Sequence, residues 1–278
     1  MDDLESKLIS CGLITAQQAL QAEKEALACG KALCATLVKL GFVTEEDMVI
    51  FFANESSVPY IRVSDYCVSP QALALLDENF CRQHLVIPVF KVNEVLFVAV
   101  SNPLDTALMD NIFKITGCDI EPLIASCSQI LSNLNLYYGP EDEDFDIERY
   151  IIKQSAIKRV PFHRESERLD LKIPVSVTID DKNFALRGSS SVDGFTQNIS
   201  NGGAAIGMEV FFFLPKGVNL ILEFKPHQDI KSAEEIIKVK GQVVHSFMGK
   251  NKKFFLGIQL YDMDRSGRNR LLKLASQI

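Results

Sequence analysis

The 278-residue chain is short of several things that common activities require. No apolar run approaches the roughly 18 residues of a membrane span. The opening residues, MDDLESKLIS, lack the basic region and apolar stretch of a secretory leader, so a cytoplasmic protein without membrane insertion is expected. Seven cysteines, at 11, 29, 34, 67, 81, 118 and 127, form no Cys-x-x-Cys pair and are odd in number. They read as buried reduced thiols, several on apolar helix faces, rather than a metal or disulfide framework. The four histidines, His84, His163, His227 and His245, have no acidic or thiol partner at ligand spacing, and His245 in its apolar strand reads as structural. No GxxxxGK[ST] loop exists: the Gly-Lys pairs at 30–31 and 249–250 lack the preceding glycine and the following Ser or Thr. Nucleotide hydrolysis, acid–base catalysis, metals and cofactors are therefore all unsupported, and no catalytic residue is assigned. A net charge of −7 argues against non-specific binding to DNA or acidic membranes, though not against a local basic pocket.

What is present is a globular composition, 47% hydrophobic and 23% charged. GPEDEDFDIERY (139–150) joins a Gly-Pro break to an acidic run, which marks a linker over 139–157 between domains at 1–138 and 158–278. The first domain reads as mixed α/β. Thr15 with Gln18, and Ser126 with Gln129, have capping-box spacing, and Ser69-Pro70 opens a helix over QALALLDENF. LVIPVF and EVLFVAV flank KVN as a hairpin, with IEPLIAS as a third strand. LISCGLIT (8–15) and LVKLGFVT (37–44) share one pattern, so two helix pairs related by an internal repeat open the chain.

After the linker the period changes to two. Ile173, Val175, Val177 and Ile179 alternate with polar residues. Further strands are expected near 192–199, 204–210, 218–224, 235–246 and 253–261, with a closing helix RSGRNRLLKLAS. This spacing suggests a small antiparallel barrel. Two elements there carry chemistry. Arg164 and Arg168 form Arg-x-x-x-Arg just before the first strand, and Asn198, Ser200 and Gly203 form Asn-x-Ser-x-x-Gly thirty residues on. Guanidinium forks match phosphate oxygens and the O6/N7 edge of guanine. An amide and a hydroxyl can read a polar base edge, and glycine lets a ligand approach the backbone. Either element alone is weak: RESER could be a solvated helix face and NISNGG an Asx turn.

Together, in this order, they resemble a PilZ domain, whose signature is RxxxR followed by [D/N]xSxxG. GQVVHSF and FFLGIQL resemble that family's closing strands. The resemblance implies a six-stranded antiparallel barrel with a C-terminal helix that binds cyclic di-GMP. Arg164 and Arg168 would hold phosphate and a guanine edge, Asn198 and Ser200 would fix a guanine, and Gly203 would give clearance. His163 adjoins this set, and Lys158 and Arg159 could add positive potential or simply be an exposed pair. The first 138 residues resemble the MshEN domain of type II secretion and type IV pilus assembly ATPases, on the helical repeat and on VAVSNPLDTALMDNIFKITG with IEPLIAS. Some members of that family bind the same dinucleotide through paired motifs of the form RLGxxLLxxGLL…Q. Here Asp3 and Glu5, and in the second copy Ala32, Cys34 and Glu55, stand at its polar and glycine positions. The expectation is a non-enzymatic receptor whose ligand orders residues 149–170 and alters domain arrangement or partner access. The alternative is an adaptor docking on a secretion, pilus or motility machine regardless of ligand.

Overall fold

The computed structural model describes residues 3–30, 32–103, 105–140, 169–170, 173–188, 190–199, 205–224, 236–248, 253–263 and 265–276. Four helices open it: α1 (Asp3–Ser10), α2 (Ala16–Cys29), α3 (Leu33–Lys39) and α4 (Glu45–Ser56). The repeat is visible in its joints. Gly12 and Gly41 both turn left-handed, at φ 73° and 70°, and the threonine three residues beyond each caps the next helix. Thr15 forms a full capping box with Gln18, and Thr44 does the same with Asp47. Leu8 and Leu37, at matching places in the repeat, are completely buried in one cluster with Met48 and Phe52.

The small α/β part follows. Where one helix was expected after Ser69-Pro70, there are two short ones, α5 (Pro70–Leu73) and α6 (Glu78–His84). Asp77 interrupts the run because its carboxylate accepts the Phe80 N–H at 2.9 Å and starts a new helix. β1 (Val86–Val92) and β2 (Val95–Val100) form the expected hairpin, with Asn93 left-handed at φ 54°. After α7 (Thr106–Thr116), β3 (Asp119–Ile124) adds parallel to β2, and α8 (Cys127–Tyr138) completes this part. Ser126 caps α8, but Gln129 does not return the bond and instead donates to the Tyr60 hydroxyl at 3.3 Å.

The second part is the barrel. It begins with the two-residue β4 (Leu169–Asp170), which pairs with one end of β6. β5 (Pro174–Ile179), β6 (Ser191–Ile199), β7 (Ala205–Val210), β8 (Asn219–Phe224), β9 (Ile237–Met248) and β10 (Phe254–Tyr261) pair in the order β6-β5-β8-β9-β10-β7. A β6–β7 ladder closes the ring, and every pairing in it is antiparallel. Closure pairs the two strands that would otherwise be edges, and alternate residues such as Val175, Val177, Leu220 and Leu222 fill the interior. α9 (Arg265–Ser276) lays Leu271 on the barrel.

The two parts share one core. Residues 65–67 and 185–187 exchange backbone bonds, Cys67 N–H to Ala185 O at 3.0 Å and Arg187 N–H to Asp65 O at 2.8 Å. Above this clasp, Tyr66 packs on Phe90 and Phe184, and Phe97 packs on Phe213. The buried Tyr66 hydroxyl accepts the Phe213 N–H at 2.9 Å and donates to Phe213 O at 3.2 Å. The hydroxyl and both backbone groups of Phe213 are thereby satisfied, as burial requires.

Candidate functional site

Residues adjoining the two motif elements pair through β4 and β6. Leu169 pairs with Ile199, and Asp170 with Asn198. In the sequence Arg168 immediately precedes Leu169 and Ser200 immediately follows Ile199. Arg164, Arg168, Ser200 and Gly203 themselves lie outside the described residues, as do His163, His227, Lys158 and Arg159.

Thr196 fixes this register. It is fully buried, its hydroxyl accepts the Ile173 N–H at 2.9 Å, and its own N–H reaches Ile173 O at 3.0 Å. Just beyond it the β6–β7 ladder slips between Thr196 and Asn198, and Gln197 and Asn198 are both half-buried instead of alternating. The Asn198 amide then lies over Gly207, where an added Cβ would meet Oδ1 at 2.6 Å. Only glycine lets the amide lie that close to the sheet.

Gly207 in turn faces Gly257 of β10, and Gly257 faces His245 of β9. The imidazole of His245 occupies the space that a Cβ on Gly257 would need. Ile206, Met208, Leu256 and Ile258 on either side point into the core. Asn198, Gly207, Gly257 and His245 thus form one transverse row across four strands on the outer face. The half-buried His245 ring lies near-parallel to Phe247, at 6.2 Å and 20°, and Phe247 to Phe255, at 5.4 Å and 21°. Gly207, Gly257 and His245 were not singled out as site residues from the sequence. A lone glycine inside each of two strands was the available signal, because such glycines mark close approach.

A groove of about 660 Å³ starts at Gln197 and runs away from Asn198 along the seam of β6 and β7. Phe195 and Phe211 wall it, and Glu209 accepts Gln197 Nε2 at 2.6 Å and pairs with Lys253. Asp193 and Glu209 set two carboxylates against that single lysine, a poor match for a dianionic ligand.

In the helical repeat, the positions that matched a ligand motif hold different chemistry. Glu5 and Glu55 are buried, and Lys7 Nζ lies 3.1 Å from Glu55 Oε2, tying α1 to α4. Burial pushes the Cys34 thiol up to about 11, so it is a neutral core residue at neutral pH; Cys81, Cys118 and Cys127 are buried as expected, but Cys11, Cys29 and Cys67 are exposed. His84 packs its ring against Phe80 at 4.5 Å. Among the described residues no cluster of metal-ligating side chains occurs, and no helix is long and apolar enough to cross a membrane.

Residues 56–144 match the family model of the MshEN domain, and residues 162–277 match that of the PilZ domain. The chain joins an MshEN domain to a PilZ domain. Over 140 residues it is 31% identical to the type IV pilus assembly ATPase PilB of Myxococcus xanthus (strain DK1622), covering 49% of this chain and 25% of that protein. It is 27% identical over 138 residues to the type IV pilus assembly ATPase PilB of Thermus thermophilus, covering 49% of this chain and 15% of the relative. The chain therefore spans a quarter or less of these curated relatives. A solved structure of MshE with cdg is 27% identical at a TM-score of 0.44, covering 50% of this chain and 100% of that one. The PilZ domain of CeSA from a cellulose-synthesizing bacterium is 17% identical at a TM-score of 0.27, covering 40% of this chain and 97% of that one. Both matched regions belong to binding and regulatory domains; the ATPase part of the relatives has no counterpart motif here.

Proposed function

We propose that the protein is a non-enzymatic receptor for cyclic di-GMP in a type IV pilus or related machine, with the PilZ barrel as the sensor. One observation supports this above the rest: the β4–β6 ladder pairs Leu169 and Asp170, which follow Arg168 in the sequence, with Ile199 and Asn198, which precede Ser200, and the Asn198 amide lies over Gly207. In this reading Arg164 and Arg168 bind phosphate and a guanine edge, Asn198 and Ser200 fix a guanine, and Gly203 keeps the backbone accessible. The MshEN domain serves as the interaction module. In the helical repeat that precedes it, Asp3 stands at the motif's arginine position, and an acidic residue there would repel a phosphate ligand. Ligand binding changes what the barrel face offers a protein partner.

Calorimetric titration of cyclic di-GMP into the full chain tests this. The wild type is expected to bind, and Arg164→Ala and Arg168→Ala are each expected to lose about tenfold or more, the value of one charge-assisted bond. Hydrogen exchange in residues 149–170 should slow with ligand. Absence of wild-type binding would overturn the receptor reading. A second reading, a ligand-independent adaptor, draws on the shared aromatic core, which holds barrel and MshEN domain together whatever occupies the barrel face. It requires partner binding that ignores the nucleotide.

A further inference from the structure

We propose that α2 docks on a second copy of this chain, its outward leucines Leu20 and Leu27 packing in parallel against the same two residues of that copy. The proposal stands apart from the receptor reading, because it concerns the helical repeat and needs no nucleotide.

α2 is inverted relative to the other helices of the repeat. An amphipathic helix ordinarily turns its large apolar residues toward the core. The others do so, burying Leu8 from α1, Leu37 from α3, and Met48, Phe51 and Phe52 from α4. α2 buries only alanines, Ala19, Ala22 and Ala26. Its large apolar residues, Leu20 and Leu27, are 53% and 78% exposed. The helix is fixed at both ends, by the Thr15 capping box and by left-handed Gly30, so this face is offered ready formed.

The spacing of the face and its charges select the occupant. Leu20 and Leu27 are one heptad apart and share a single stripe, with a drift of only about 20°. Midway between them stand the exposed Glu23 and Lys24, about 60° to one side of Leu20 and about 40° to the other. Glu25 lies about 140° round the helix, away from the stripe. It accepts the Cys29 thiol at 3.4 Å. The stripe therefore carries a carboxylate on one flank and an ammonium on the other. In an antiparallel pair, Glu23 would face the partner's Glu23, and Lys24 the partner's Lys24. In a parallel pair, each leucine meets its own counterpart and each Glu23 faces a Lys24. Such a contact is self-complementary, as a two-fold interface must be. Two leucine layers make it small, of the class that associates transiently.

Sedimentation equilibrium of the full-length chain without nucleotide, from low micromolar to submillimolar concentration, tests this, with a thermal melt of every variant. The wild type is expected to pass from monomer to dimer across that range. Leu27→Glu is expected to weaken the dimer about tenfold or more, because a carboxylate would be buried in place of a leucine layer. The site is exposed in the monomer, so the melt should not move, and Leu20→Glu repeats the test at the other layer. Glu23→Lys and Lys24→Glu should each weaken self-association severalfold. An equimolar mixture of those two should recover wild-type association, since both flanks then pair opposite charges again. A wild type that stays monomeric throughout would overturn the proposal, as would a dimer that both leucine variants leave intact. Charge variants that associate as the wild type does, with a mixture tighter than either, would mark an antiparallel pair and overturn the parallel one.

Discussion

At one end of β7 the PilZ barrel meets the MshEN domain, and at the other it presents the Asn198–His245 row. The first end is closed. Tyr66, Phe90, Phe184 and Phe213 are all buried, their rings interlock, and the one hydroxyl among them satisfies both backbone groups of Phe213. The second end is kept open by glycines, and its polar side chains lie half-exposed on the sheet. The joint rests on an isolated bridge, Tyr66 to Leu186, and on aromatics outside the barrel strands, whereas the row rests on continuous ladders whose opposed glycines leave a floor for an amide and an imidazole. Stability should therefore respond to substitutions at the joint, and ligand affinity to substitutions at the row.

The largest break in this contrast is Phe184→Ala. Emptying a buried aromatic site costs about 3–5 kcal/mol, so the denaturation midpoint of the full chain should fall sharply. Cyclic di-GMP affinity, measured at a temperature where the variant is folded, should change little. An unchanged midpoint would mean that the cluster is not a shared core. Tyr66→Phe is subtler, because it keeps the ring and removes only the hydroxyl. It leaves the buried N–H and C=O of Phe213 without their partner, at about 1–3 kcal/mol, and a chemical-denaturation curve would read the loss. A neutral result would show that these backbone groups find another partner.

Much of the fold was legible because period and caps are local. The alternation from Ile173 to Ile179 announced β5, and Thr15 with Gln18 announced α2. The split between α5 and α6 was missed because Asp77 reads as an ordinary helix residue unless its capping geometry is known. Asn198 was legible as a candidate for the same reason: it belongs to a contiguous motif. The place of His245 over Gly257 was not, since it depends on which strands neighbour β9 and in what register. Nor was the joint. Nothing in Tyr66 or Phe184 alone tells that residues so far apart in the chain will share one core, because that depends on shape complementarity between finished surfaces.

Gly207→Ala sharpens the contrast at its quieter end. The added methyl would stand 2.6 Å from Asn198 Oδ1, but the obstructing atom is the tip of a side chain that can swing aside rather than a backbone or a packed ring. A strand alanine also loses less conformational entropy on folding than glycine does, by roughly 0.5–1 kcal/mol. The two effects oppose, so the melting temperature should hardly move. The amide, however, is displaced from its place over the sheet, and a base edge aligned with it should bind severalfold more weakly. If affinity held while stability fell, the roles would be reversed, with Gly207 serving the packing of β6 on β7 and Asn198 no longer reading a base through its position there.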